Sequence, residues 1–170
     1  MHVRPAALDD ALAIETIRVR GWRAAYRSVF PAAELDALGI DETRWRSRLI
    51  EPPAGWWIGV AEDGSRVVGF VAIGPSRDER GIGELYAIYV DPTAWSRGAG
   101  NALIARAEER LRETYVVATL WVLEDNPRAR RFYERAGWRP DGARKAEERL
   151  GVRATEVRYR KRLVSDTNGV

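Results

Sequence analysis

The chain has 170 residues, 45% of them hydrophobic and 31% charged, which suits one soluble globular domain long enough to bury a core. It has no cysteine, which excludes disulfide scaffolds, thiol nucleophiles and thiolate metal sites, and a single histidine, His2, beside the start, so a His-rich metal site or a Ser-His-Asp triad is not expected. The net charge of +3 is too mild to indicate a nucleic-acid partner. With no apolar run near the ~20 residues of a membrane span and no signal-peptide apolar region, the expected location is the cytoplasm.

In chain order, His2 to Arg4 reads as a short edge strand, and Asp9 to Tyr26 follows a helical period. Leu8, Ala11, Leu12, Val19, Trp22 and Tyr26 fall on one stripe of that helix. A second helical region from Ala32 to Leu49 is interrupted near Gly39-Ile40-Asp41 and stopped by Pro52-Pro53. The period then changes. Trp57 to Ala61 and Val67 to Ile73 read as strands, with Asp63-Gly64 as a hairpin turn between them. Ile82 to Val90 is a third apolar run, ended by Asp91-Pro92. Asn101 to Arg112 is a helix with the apolar face Leu103, Ile104, Ala107 and Leu111, and Val116 to Leu123 is a strand. Asn126 caps a short helix with Pro127 at its first position and Gly137 after its end. The last strand, Ala154 to Leu163, alternates polar and apolar residues. The order β-α-α-β-β-β-α-β-α-β-β predicts an α/β fold with a mixed, mostly antiparallel sheet and helices on both faces. Residues 1–164 are expected to form one domain and 165–170 a polar tail.

Two stretches carry chemistry. In Val90-Asp91-Pro92-Thr93-Ala94-Trp95-Ser96-Arg97-Gly98-Ala99-Gly100-Asn101, a strand feeds a small-residue turn that opens a helix. Free N–H groups at such a start suit a pyrophosphate, and glycine allows close approach. The same residues also fit a plain strand-to-helix turn. A dinucleotide fingerprint is disfavoured, because its third glycine would fall on Leu103.

The second stretch, Leu120 to Trp138, has the pattern L-x-V-x-x-x-N-x-x-A-x-x-F-Y-x-x-x-G-W. This pattern resembles the second acetyl-CoA motif of the GNAT superfamily of acyl-CoA-dependent N-acetyltransferases. The earlier stretch then resembles that superfamily's pyrophosphate motif, with Trp95 where Gln or Arg is usual and Ser96 where Gly is common. The resemblance spans roughly residues 54 to 163. It implies a twisted sheet splayed between its fourth and fifth strands, with acetyl-CoA as cosubstrate in the splay.

The resemblance also implies roles for individual residues. Tyr133 would face the sulfur of the coenzyme and donate to the leaving thiolate, although its place beside Phe132 fits a core residue as well. Ile88, Tyr89 and Val90 would pair main-chain groups with the pantetheine arm, with an N–H near Ile88 as oxyanion donor. Ser96, Arg97, Gly98, Ala99, Gly100 and Asn101 would take the phosphates, and Arg97 would keep a positive charge there. Asn126 would serve as helix cap and lie near the pantetheine. Glu84 is the candidate general base. At ~3.3 Å per residue it lies roughly 13 Å along the strand from Ile88, so it would need a water relay, with Tyr86 on the same face. Trp22, Tyr26, Glu84 and Tyr86 are the expected acceptor-site residues. Aromatic rings there, Trp56 and Trp57 included, would hold a cationic amine by cation–π contact. Arg128, Arg130 and Arg131 read as a solvated helix face within reach of the coenzyme's 3′-phosphate.

The implied reaction is acetyl transfer to a primary amine on a small molecule, by direct attack in a ternary complex, with no metal. No cysteine exists to carry a thioester intermediate. The alternatives are a protein N-terminal or lysine acetyltransferase and a non-catalytic acyl-CoA sensor. The late strands make a homodimer an expectation. Nucleic acid and membrane are not expected partners.

Overall fold

The computed structural model describes residues 1–163. The expected tail lies outside the described residues, as does residue 164. The elements are β1 (His2–Pro5), α1 (Ala11–Ala25), α2 (Ala32–Asp36), α3 (Thr43–Ile50), β2 (Trp57–Asp63), β3 (Arg66–Pro75), β4 (Gly83–Val90), α4 (Ala99–Arg112), β5 (Val117–Leu123), α5 (Pro127–Arg135), β6 (Arg139–Arg149) and β7 (Val152–Arg162). Short 3₁₀ turns at Leu8–Asp10 and Pro92–Ala94 precede α1 and follow β4. One seven-stranded sheet has the order β1-β2-β3-β4-β5-β7-β6. All neighbours are antiparallel except β4 and β5, which run parallel because α4 crosses between them.

The local rules account for most elements. Asn126 Oδ1 accepts from Ala129 N–H at 3.1 Å and opens α5, where Pro127 has no N–H to leave unsatisfied. Gly64 turns the β2–β3 hairpin at φ +62°. Val68 to Gly74 is buried throughout, as a strand covered on both faces must be.

Each face of the sheet has its own core. On one face α4 contributes Leu103, Ile104, Ala107 and Leu111, none more than 4% exposed, against Val71, Ile73 and Leu85. Burying each leucine there is worth roughly 1.5–3 kcal/mol. On the other face Ala11, Ile14 and Ile17 of α1 and Trp45 of α3 pack on Val60, Phe70 and Ala72. This corrects the α1 stripe: Leu8 and Leu12 are 36% and 54% exposed. Asp10 is buried at the helix start instead, paired with Arg4 at 2.7 Å, so α1 turns its Ile14 side to the sheet. Among the described residues, no helix is long and apolar enough to cross a membrane.

Two irregularities make the site. First, β4 and β5 pair only over Gly83–Leu85 and Ala118–Leu120. Gly83 to Leu85 are buried, whereas Tyr86 to Val90, beyond the pairing, are half-buried along an open edge. The sheet is thus splayed between its fourth and fifth strands. Second, Ala72 pairs with Ala87 and Ile73 with Leu85, so Tyr86 is the extra residue of a β-bulge. Tyr86 and Ala87 therefore both join the α1 side, and Ile88 returns to the α4 side. The expected alternation, with Tyr86 and Ile88 on one face, fails at this bulge.

Candidate functional site

A cleft of about 830 Å³ runs through the splay. It brings together Ile88, Tyr89, Val90, Ser96, Gly98, Ala99, Gly100, Asn101, Asn126 and Tyr133 from the expected coenzyme set. Trp22, Tyr26 and Tyr86 line it too. Arg97 and Glu84 do not.

On the α4 side the wall is largely main chain. Gly98 is the residue before α4, at φ +89°, and no side chain caps the helix. The first intrahelical bond is Ala102 N–H to Gly98 O, so the N–H groups of Ala99, Gly100 and Asn101 have no helical acceptor. Donors free of side-chain partners at a helix start fit a diphosphate. Gly100 has a further reason to be glycine: a Cβ there would stand 3.2 Å from Phe132, so its smallness also serves helix packing. Ser96, at φ +63°, adopts the left-handed conformation that favours glycine. Arg97, between these two turned residues, is exposed and outside the lining. The α5 arginines in the lining are Arg128 and Arg135, and the guanidinium carbon of Arg128 lies 3.6 Å from the Trp95 ring centroid. Trp95 Nε1 donates to Val90 O at 2.9 Å, tying the end of β4 to this stacked pair. The arginine face of α5 is correspondingly divided. Arg128 lines the cleft, while Arg130 Nε donates to Tyr159 Oη at 3.0 Å.

Tyr133 sits between these walls, 7% exposed. Burial, with Tyr89 adding to it, pushes its phenol above the ordinary value, so the hydroxyl holds its proton at neutral pH. Among the described residues its hydroxyl makes no hydrogen bond. Tyr26 is raised likewise by burial; it meets Trp22 and Phe30 edge to face, and those two rings stack on each other. Trp22 Nε1 donates to Tyr89 Oη at 2.9 Å.

Glu84 is fully buried and outside the cleft wall. Its carboxylate accepts from Arg77 N–H at 2.8 Å, from Nε at 3.1 Å and from Nη2 at 2.5 Å. Both oxygens are therefore committed to one arginine. The strand-end carboxylate holds the β3–β4 loop over the site, and Arg77 in turn stacks on Tyr86 at 5.2 Å. Burial, followed by the charge of Glu84, pushes the Tyr86 phenol up to about 12.

Two carboxylates do line the cleft: Glu147 on β6, paired with Arg149 at 2.9 Å and Lys145 at 3.2 Å, and the more buried Glu156, 7% exposed, on β7 opposite Leu123. Arg149 approaches its Oε1 at 3.2 Å and Lys145 its Oε2 at 3.4 Å, yet Oε2 is buried with no hydrogen bond. Sequence reading missed Glu156 because it stood among alternating charges of an apparently solvated strand face. The aromatic expectation is also changed. Trp57 packs on the α4 side, while Trp22 and Trp56 line the cleft. Cleft rings already carry the protein's own cations: Arg48 on Trp45 and Trp56, Lys145 on Trp121, Arg149 on Trp22.

Comparison with known proteins gives this geometry its family. Residues 19–138 match the model of the acetyltransferase (GNAT) family. The chain is 37% identical over 163 residues to YuaI, an uncharacterized N-acetyltransferase of Bacillus subtilis (strain 168), covering 91% of this chain and 89% of that one. It superposes on the PaiA N-acetyltransferase of Thermoplasma acidophilum, solved in complex with coenzyme A. The TM-score is 0.73 at 16% identity, over 95% of this chain and 98% of that one. YncA of Salmonella typhimurium, solved with its cofactor acetyl-CoA, gives 0.73 at 18% identity over 98% and 95%. The strand order, the splay and these similarities together make the chain a member of the GNAT acetyltransferase family, an acyl-CoA-dependent N-acetyltransferase.

Proposed function

We propose that this enzyme transfers the acetyl group of acetyl-CoA to the primary amine of a small molecule, by direct attack while both substrates are bound. The observation that carries this reading is the single through-sheet cleft, which joins an uncapped helix start, an open strand edge, Tyr133 and Glu156. The cosubstrate supplies an activated thioester. The N–H groups of Ala99, Gly100 and Asn101, with Arg128, hold its phosphates. The Tyr86–Val90 edge offers main-chain groups to its arm, and Asn126 lies beside that arm.

The amine nitrogen forms a bond to the acetyl carbon, and the carbon–sulfur bond breaks. A main-chain N–H near Ile88 stabilises the negative charge on oxygen. Tyr133 donates its hydrogen bond to the departing sulfur. A phenol held above about 10 is not a stronger acid than a thiol near 8.5, so its contribution lies in the donated hydrogen bond as charge builds on sulfur. Glu156 receives the proton lost by the amine, the role that sequence reading gave to Glu84. Glu84 keeps Arg77 and the loop in place.

The test is thiol release from acetyl-CoA against a panel of small amines and peptides, beside Tyr133→Phe. Turnover on small amines, reduced about 10²- to 10³-fold in the variant, is the expected result. Turnover confined to peptides would replace the acceptor class. Acetyl-CoA binding with no turnover on any amine would favour the sensor.

A further inference from the structure

On the α1–α3 side, the cleft ends in arginines whose charges are unequally answered. Arg18 is bound to Glu15 at 2.8 Å, and Arg77 to the buried Glu84. Arg44 and Arg48, one turn apart on α3, line the same end, and no carboxylate among the described residues lies within 4.0 Å of either. Arg48 is fixed without one. Its guanidinium carbon lies 5.2 Å from the Trp45 ring centroid and 4.9 Å from that of Trp56, a stacking that suits a planar cation. Burial, then the like charges of Arg44 and Arg77, hold Arg48 below its ordinary pKa. Glu15 answers Arg18 and attracts Arg44 at longer range, and Glu84 answers Arg77, so Arg48 is the cation held here against like charge without a carboxylate of its own. This end lies on the face opposite α4 and α5, where the phosphate donors stand.

We propose that the acceptor is an amine carrying a second, anionic group, a carboxylate or a phosphonate, and that Arg48, flanked by Arg44 and Arg77, binds that group. The inference rests on the acetyl-transfer reading and names its substrate class. Guanidinium groups meet planar or tetrahedral oxyanions through paired N–H donors. The cleft's indole rings are occupied by arginine and lysine, which removes the cation–π cage that a purely cationic amine would need.

The test has two arms. Matched pairs are assayed at saturating acetyl-CoA: L-amino acids against their amides, and 2-aminoethylphosphonate against ethylamine. The anionic member of a pair is expected to have kcat/KM higher by about 10- to 100-fold, and the better of the two anions identifies the group. Arg48→Ala should erase that preference through acceptor KM, leaving KM for acetyl-CoA unchanged, with Arg48→Lys restoring part of it. The second arm needs no turnover. Inorganic phosphate is titrated into the enzyme with coenzyme A present, and tryptophan fluorescence is followed in the wild type, Arg48→Ala and Arg48→Gln, each checked for an unchanged melting temperature. A saturable change in the wild type alone supports the site. Equal kcat/KM within the pairs, a variant that shifts KM for acetyl-CoA instead, or phosphate titrations alike in all three proteins overturns it. Failure of acetyl-CoA to bind or turn over at all would strike the transferase reading, while the phosphate titration would still decide the anion site.

Discussion

The two walls of the cleft are built from different materials. The α4–α5 wall is made of main chain: an uncapped helix start, an open strand edge, and glycines placed for a left-handed turn and a close helix contact. The opposite wall is made of long side chains drawn from α1, α3, the β3–β4 loop, β6 and β7. Main-chain sites can be specified by a few residues in a row. Side-chain sites need partners that the fold supplies from far along the chain: Trp45 with Glu15, Tyr89 with Trp22, Glu156 with Lys145 and Arg149. The first wall suits a constant group such as a nucleotide diphosphate, and the second can change without disturbing it.

Substitutions can break this contrast at several depths. The largest loss is expected where the walls meet. Tyr133→Phe keeps the buried ring and deletes only the hydroxyl, so kcat should fall about 10²- to 10³-fold with KM for acetyl-CoA unmoved. A variant with wild-type kcat would remove Tyr133 from the chemistry. Next is Glu156→Gln, expected to lower kcat about 10²-fold with KM for acetyl-CoA unmoved. An unchanged kcat would reduce Glu156 to a partner of Lys145 and Arg149.

Glu84→Gln is the control for that pair. It should cost about 1–3 kcal/mol in denaturant unfolding, because the hydrogen bonds that buried Glu84 accepts from Arg77 weaken, while kcat stays unchanged. A loss of about 10²-fold in kcat here would return the base to Glu84.

Asp91 joins the walls at the end of β4. Burial works to raise its pKa, but hydrogen bonds from Thr93 and the charges of Arg20 and Arg66 outweigh it and hold the carboxyl below its usual range. A carboxyl depressed on folding stabilises above its unfolded pKa of about 3.9 and loses that contribution as pH falls through the folded value. Asp91→Asn should therefore lower stability by about 1–2 kcal/mol at pH 7, with the gap to wild type closing under acid unfolding below about pH 4. A gap independent of pH would contradict the depressed carboxyl. The smallest effect is a gain. Ser96→Gly should raise stability by about 1 kcal/mol by relieving the left-handed backbone, with coenzyme affinity unchanged. A loss would mean that the serine side chain has work of its own in the loop.

Legibility in the sequence follows the same division. Asn126, Pro127, Gly98 and the Leu103–Leu111 face signal their structures within a turn or two of themselves, and the succession of helices and strands along the chain came from such signals. Glu84 could be read as a strand-end carboxylate, but nothing nearby says that Arg77 seals both of its oxygens. Arg48 and Glu156 look like solvated charges until α3 and β7 are packed. β6 offers no apolar alternation to read. Its eleven residues are an exposed edge whose charges guard against further pairing. The Tyr86 bulge shifts a period-two argument by one residue, and only the pairing with β3 reveals it.

The three-residue ladder between β4 and β5 has a mechanical consequence. Seven residue pairs join β3 to β4 and seven join β5 to β7, so the sheet is two stiff leaves stitched along a short seam. Amide hydrogens of the leaves should exchange slowly and those of the seam's open margin quickly. Force applied across the leaves should part them at Gly83–Leu85 before either leaf yields. A molecule filling the gap would then act as the missing stitches, so that occupancy would be read directly as tensile strength.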